Sequence, residues 1–119
     1  MDKAFLIAFN RTQAKPVAVR VLKADTPASR SQGLLGRESL AADEGLWIVP
    51  CPMIHTFFMK FPIDVLFLDA DLTVRRVIED LRPWRLSPWV LSARSVLELQ
   101  GGVLKGSVRV GDKLEMRKS

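Results

Sequence analysis

Apolar and polar side chains alternate along most of the patterned segments of this chain, as they do in strands with one buried face. Val17-Ala-Val-Arg-Val-Leu-Lys23 is the clearest instance, and Ala4–Phe9 supplies an apolar partner for it. The polar stretch Asn10–Pro16 between them reads as a hairpin connection. At Asp25-Thr26-Pro27 a capping side chain is followed by proline at the first helical position, so a helix starts there. Gly33 and Gly36 keep it short. Strand patterns return at Leu46–Val49, then at Met53–Met59 beyond the break of Pro50–Pro52, and at the strongly apolar Ile63–Leu68. Asp69-Ala70-Asp71 forms a turn into Thr73–Ile78, which makes residues 63–78 a hairpin. Pro83 and Pro88 mark irregular chain, Ser95–Leu99 is another short strand, and Val103–Gly106 reads as one helical turn. Val108, Val110, Leu114 and Met116 close the chain as short strand pieces around Gly111-Asp112. Many short strands with one or two short helices predict a mainly β (α+β) fold, a small curved antiparallel sheet or partly open β-barrel, with a sandwich as the other arrangement.

Composition narrows this to one domain over residues 1–119. The chain has 119 residues, 48% hydrophobic and 26% charged, enough for a core without disulfide or metal staples. Its net charge of +5 permits anionic partners without requiring them. The basic residues are spread along the chain, and the nearest approach to a cluster, Arg75, Arg76, Arg82, Arg85 and Arg94, is interrupted by Glu79 and Asp80, so nucleic acid is not the expected partner. The single cysteine, Cys51, suits a reducing compartment. The apolar run Ala4–Phe9 is too short for a signal-peptide core, and charges or prolines interrupt every candidate membrane span. A cytoplasmic protein is the expectation.

Taken in order, a set of short segments resembles the bacterial and archaeal family called DUF192 or UPF0127. They are Ala24-Asp-Thr with Arg30, Gly33-Leu-Leu with Arg37, Gly45-Leu-Trp47, Ile54-His-Thr-Phe-Phe-Met-Lys60, Pro62-Ile-Asp-Val-Leu-Phe-Leu68, and Val96-Leu-Glu-Leu99 with Gly102, together spanning residues 24 to about 112. The resemblance implies a compact fold dominated by a curved antiparallel sheet and brings no agreed activity. Many relatives carry an export or lipoprotein signal, so it does not fix localisation. Where many members have Trp-Met-Lys-Asn-Thr, this chain departs with His55-Thr-Phe-Phe-Met-Lys60.

Chemistry concentrates around the one histidine. If Cys51–Met59 is extended, Cys51, Met53, His55, Phe57 and Met59 share a face, and cysteine, histidine and methionine are the soft donors that suit Cu(I). The same side chains are also ordinary core fillers. Histidine is the side-chain type suited to proton exchange near neutral pH, and Asp64 or Glu98 could serve as a partner for His55. Asp64 lies within an apolar strand and must find a donor, from Arg82, Arg85 or a backbone N–H. A His55–Asp64 couple with Thr56, Ser87 or Cys51 as nucleophile would give a hydrolase-like enzyme, although no nucleophile elbow is present. Arg30 and Arg37, seven apart, would clamp an anion if one helix carried both, and would otherwise be solvated helix arginines. Arg82-Pro-Trp-Arg85 with Trp89 sets aromatic faces beside cations, either a stacking platform or a lid over the barrel edge.

These features favour a binding domain for a small polar or anionic ligand, with a shallow site built from His55, Lys60, Asp64, Trp84, Arg85 and Glu98. The alternatives are the His55–Asp64 enzyme and a Cu(I) site of Cys51, His55 and Met59. No cofactor or resident metal is expected in the favoured reading, and a protein partner is left open.

Overall fold

The computed structural model describes residues 4–119. Seven strands make one sheet: β1 (Leu6–Asn10), β2 (Lys15–Ala24), β3 (Glu44–Ile48), β4 (Ile63–Leu68), β5 (Val74–Leu81), β6 (Ser95–Gln100) and β7 (Leu114–Lys118). Their spatial order is β5-β4-β6-β3-β2-β1-β7, and α1 (Pro27–Gln32) is the one helix among the described residues. All neighbours are antiparallel except β2 and β3, which run parallel and are joined by the crossover that carries α1. The sheet curls until its edges approach: Val74 N–H donates to the Asp112 carbonyl at 2.8 Å, Leu114 N–H to that of Leu72 at 2.9 Å, and Thr73 bridges to Lys113. The fold is therefore the mainly β, partly open barrel that the alternation predicts.

Two predicted elements do not form, and of the closing strand pieces only Leu114–Lys118 does, Val108 and Val110 lying outside any strand. Met53–Met59 is irregular, with a single isolated bridge from His55 to Leu86, because Pro50, Pro52 and Pro62 deny it a ladder. Residues 101–106 make tight turns rather than a helical turn: Val103 N–H reaches the Gln100 carbonyl and Ser107 N–H that of Leu104.

Each face of the sheet carries its own core. Leu66, Leu68, Leu97 and Leu99 join Val21, Leu104 and Leu114 on the inner face of the curl. Ile63, Val65, Phe67 and Val96 join Leu34, Leu40, Ile54 and Met59 on the other. Strands β4 and β6 are buried on both sides, and this explains their near-continuous apolar runs.

Asp64 breaks that run and is wholly buried. Its Oδ1 accepts from Asp80 N–H at 2.8 Å and Gly102 N–H at 2.9 Å, and its Oδ2 from Leu104 N–H at 2.9 Å. One carboxylate thus closes the end of β5 and the turn after β6 onto β4. Asp64→Asn replaces an acceptor oxygen with a donor facing these N–H groups and removes the charge that strengthens the bonds. We expect a loss of about 2–4 kcal/mol in urea unfolding, with the slope of the transition unchanged.

Candidate functional site

Three segments enclose a cavity of about 170 Å³ on the outer face of β6, opposite the Asp64 staple. The first is the crossover after α1. Thr26 Oγ1 accepts from Ser29 N–H and Ser29 Oγ from Thr26 N–H, a reciprocal cap that starts the helix. Gly33, at φ 48°, ends it after six residues, and the chain then folds Leu34 down onto the core. This early stop removes the continuous helix on which an Arg30–Arg37 clamp was conditional. Arg37 instead pairs with Glu44 at 3.1 Å, while Arg30 stays at the cavity with only long contacts, 3.4 and 3.5 Å, to the Thr26 and Pro50 carbonyls.

The second wall is the irregular 51–59 segment. Its backbone groups pair with residues 84–94: Cys51 N–H with the Arg94 carbonyl, Val90 N–H with Pro52, Ser87 N–H with Ile54, and Thr56 N–H with Arg85. Thr56, fully buried, ties the two strips together, its hydroxyl donating to the Arg82 carbonyl at 2.6 Å and accepting from Arg85 N–H at 2.9 Å. It is a structural hub and no nucleophile. The expected one-faced alternation fails, since Met59 is buried, Cys51 and Met53 are half-buried, and His55 and Phe57 are exposed. Even so, Cys51, Met53, His55 and Met59 all border the cavity.

The third wall is β6 itself. Val65 and Glu98 are cross-strand partners and so share a face, the one that holds the cavity. Glu98 is the one acid lining it, is 3% exposed, and has no hydrogen-bond partner among the described residues. Burial pushes its carboxyl up to about 8, so the acid is protonated at neutral pH and can donate. Burial likewise raises the Cys51 thiol, with the nearby Glu98 adding to the rise and the Met53 carbonyl and Arg30 opposing it. Cys51 Sγ donates to the Met53 carbonyl at 2.8 Å, so this cysteine is a thiol rather than an activated nucleophile.

The six residues expected to form one site are distributed over three places. His55 and Glu98 line the cavity. Asp64 pairs across with Leu99 and faces the inner core, on the other side of the sheet from Glu98, so no His55–Asp64 couple exists. Lys60 is bound to Glu38 at 2.6 Å, and Trp84 and Arg85 are exposed beside Phe57 and Phe58. His55 Nδ1 accepts from Phe57 N–H at 3.3 Å, which puts the ring proton on Nε2. Ser87 Oγ is occupied by Ile54 N–H and the Pro88 carbonyl. Among the described residues these side chains do not converge as a hydrolytic constellation. Among the described residues no three His, Cys, Asp or Glu side chains converge as metal ligands.

The sequence expectation that Gly33 shortens the helix holds, and Arg30 enters the sequence reading as an anion ligand only together with Arg37; its place at the cavity with Glu98 and His55 is what sequence reasoning does not provide. Among the described residues no helix is long and apolar enough to cross a membrane.

Comparison with known proteins supplies the family. The model of the family described as DUF192, Uncharacterized ACR, matches residues 8–116. A UPF0127 protein of Pyrococcus furiosus is 32% identical over 117 residues, covering 89% of this chain and 94% of that protein. One from Pyrococcus abyssi is 48% identical over 63 residues, and that stretch spans only about half of its length, 53%. A crystal structure of a Novosphingobium aromaticivorans protein of unknown function superposes with a TM-score of 0.82 at 25% identity, covering 92% of this chain and 83% of that one. A Sinorhizobium meliloti structure, described as a candidate transcription regulator, gives a TM-score of 0.79 at 28% identity over 97% and 94% of the two chains. The ordered segments, the curled seven-stranded sheet and these matches have one reading: the chain belongs to the DUF192 (UPF0127) family.

Proposed function

We propose that this protein binds a small organic anion in the cavity between α1, the 51–59 segment and β6. The observation that carries this reading is Glu98, a residue 3% exposed that lines the cavity and whose carboxyl has no hydrogen-bond partner among the described residues. A buried polar group without a partner costs free energy, and a ligand that accepts its proton removes that cost. Arg30 and His55 stand at the same cavity and suit a carboxylate or phosphate head group, while Leu34, Ile48 and Ile54 suit a short apolar body. A volume of about 170 Å³ is comparable to an engineered apolar cavity that holds benzene, so the ligand has on the order of six to eight non-hydrogen atoms. A second reading is Cu(I) binding. It is favoured by three sulfur-bearing side chains, Cys51, Met53 and Met59, bordering the cavity with His55.

Glu98 also sets a pH signature. The glutamate ionises near 4.5 in the unfolded chain and near 8 in the folded one. Between these values folding takes up a proton at Glu98, so this residue's contribution to stability is greatest below the lower value, falls as pH rises through the interval, and levels off above the upper one. Glu98→Gln should flatten that slope in urea unfolding followed across the interval. An unchanged slope in the variant would mean that another group sets it.

Binding is tested by backbone amide NMR titration with acetate, short hydroxy acids, inorganic phosphate and, separately, Cu(I). Saturable shifts confined to residues 30–35, 48–55 and 98 are expected with an organic anion, weakened at least about tenfold in Arg30→Ala and in Glu98→Gln. Shifts that neither substitution changes, or an absence of saturable shifts, would overturn the anion reading. Stoichiometric Cu(I) uptake lost in Cys51→Ser would establish the second reading.

A further inference from the structure

Residues 51–61 and 82–94 form an outer ribbon that the cavity does not use up. Among the described residues, six of the eight exposed large apolar side chains fall on it: Phe57, Phe58, Trp84, Leu86, Trp89 and Leu91. Leu91 is 90% exposed and Phe58 69%. A concentration of this kind marks an interaction surface, because scattered single exposures are the ordinary case.

The display is built into the backbone. Phe58 and Trp84 both sit at positive φ, 65° and 64°, a conformation costly for bulky aromatic residues. Hydrogen bonds at Thr56 hold both turns: its carbonyl accepts from Trp84 N–H at 3.0 Å and from Met59 N–H at 3.2 Å. The two rings meet 4.6 Å apart at the crest, Phe57 lies 6.1 Å from Trp84, and Phe57 stacks on His55 at 5.0 Å.

Charge identifies the occupant. The two segments contain Lys60, Arg82, Arg85 and Arg94 and not one Asp or Glu, in a chain with 13 acidic residues. Lys60 is paired with Glu38 and Arg82 lies 3.6 Å from Asp80, but Arg85 and Arg94 have no ion pair among the described residues. Leucine and aromatic crests flanked by unpaired arginines match the interface of a bilayer, where apolar tips enter the acyl boundary and cations meet anionic head groups. A single-stranded nucleic acid fits less well, because leucines offer nothing for a base to stack on and the Phe58 and Trp84 rings already pack against each other. An acidic protein face would also complement these arginines, and that occupant predicts no partition into anionic vesicles.

We propose that the 51–61 and 82–94 ribbon docks this protein peripherally on an anionic lipid surface, independently of what the cavity holds. The test is flotation and tryptophan fluorescence of the full chain with phosphatidylcholine vesicles, with and without added phosphatidylglycerol. Partition is expected only with the anionic lipid, with a blue shift from Trp84 and Trp89, and is expected to weaken with added salt. Arg85→Ala and Arg94→Ala should each lower it roughly fivefold. Leu91→Asp should abolish the blue shift while leaving thermal unfolding unchanged, as suits a side chain that packs against little, and Val19→Asp, exposed on β2, should alter neither. Equal partition into neutral vesicles, no partition, binding indifferent to Leu91 and Arg85, or saturable binding to a single-stranded oligonucleotide in its place would each overturn the proposal.

Discussion

The Asp64 carboxylate is the constraint from which the rest of this architecture follows. It sits on a central strand buried on both faces, where an uncompensated charge could not stay, and it is held by three backbone N–H groups from two other segments. Nearby, Gly101 N–H donates to the Pro62 carbonyl at 3.2 Å, and a Cβ at Gly101 would stand 2.8 Å from that oxygen. This end of the sheet therefore has one way to close. Closing it fixes the pairing of β4 with β6, and a one-residue slip would send every side chain of either strand to the other face. With Asp64 opposite Leu99, Val65 stands opposite Glu98. The side of the sheet on which Glu98 emerges is thus settled by a hydrogen-bonding cluster on the reverse side.

Two buried carboxylates on adjacent strands have opposite fates. Asp64 is saturated with donors and serves the fold, while Glu98 meets no donor and is kept neutral by its surroundings. An apolar residue of similar shape at position 98 would remove the cost of burial, so the fold carries Glu98 at some expense to stability. Expense of this kind is characteristic of sites that act on something, as is the strained backbone at Phe58 and Trp84.

What could be read in the sequence depended on local signals. Val17–Lys23, Ile63–Leu68 and Ser95–Leu99 were legible as strands because alternation or a short apolar run is a property of each segment alone. The helix start at Thr26-Pro27 was legible for the same reason. That Asp64 needed donors followed from its neighbours, and backbone N–H groups were among the candidates named. Which face it shared with His55 did not, because relative facing depends on the register between strands some 30 residues apart, and no single segment encodes that. His55, Asp64 and Glu98 could therefore be picked out as unusual without being sorted into a cavity and a staple. The single helical turn expected at Val103–Gly106 failed for a related reason: Asp64, forty residues away, captures the Leu104 N–H and shapes the turn from outside it.

The misread 51–59 segment shows why both proposed sites gather in one place. Prolines at 50, 52 and 62 on one strip, and at 83 and 88 on the other, keep these strips out of the sheet, so their backbones satisfy one another through a few specific bonds and through Thr56. A strand must send alternate side chains to opposite faces, and a segment freed from the ladder is not so bound. Met59 and Ile54 can therefore sink into the outer core and Cys51 can border the cavity, while Phe57 and Phe58, consecutive in sequence, both turn outward. An irregular segment held by these hydrogen bonds can send consecutive side chains to one surface while others line a cavity. The same prolines that hid this segment from a reading based on periodicity put it to that use.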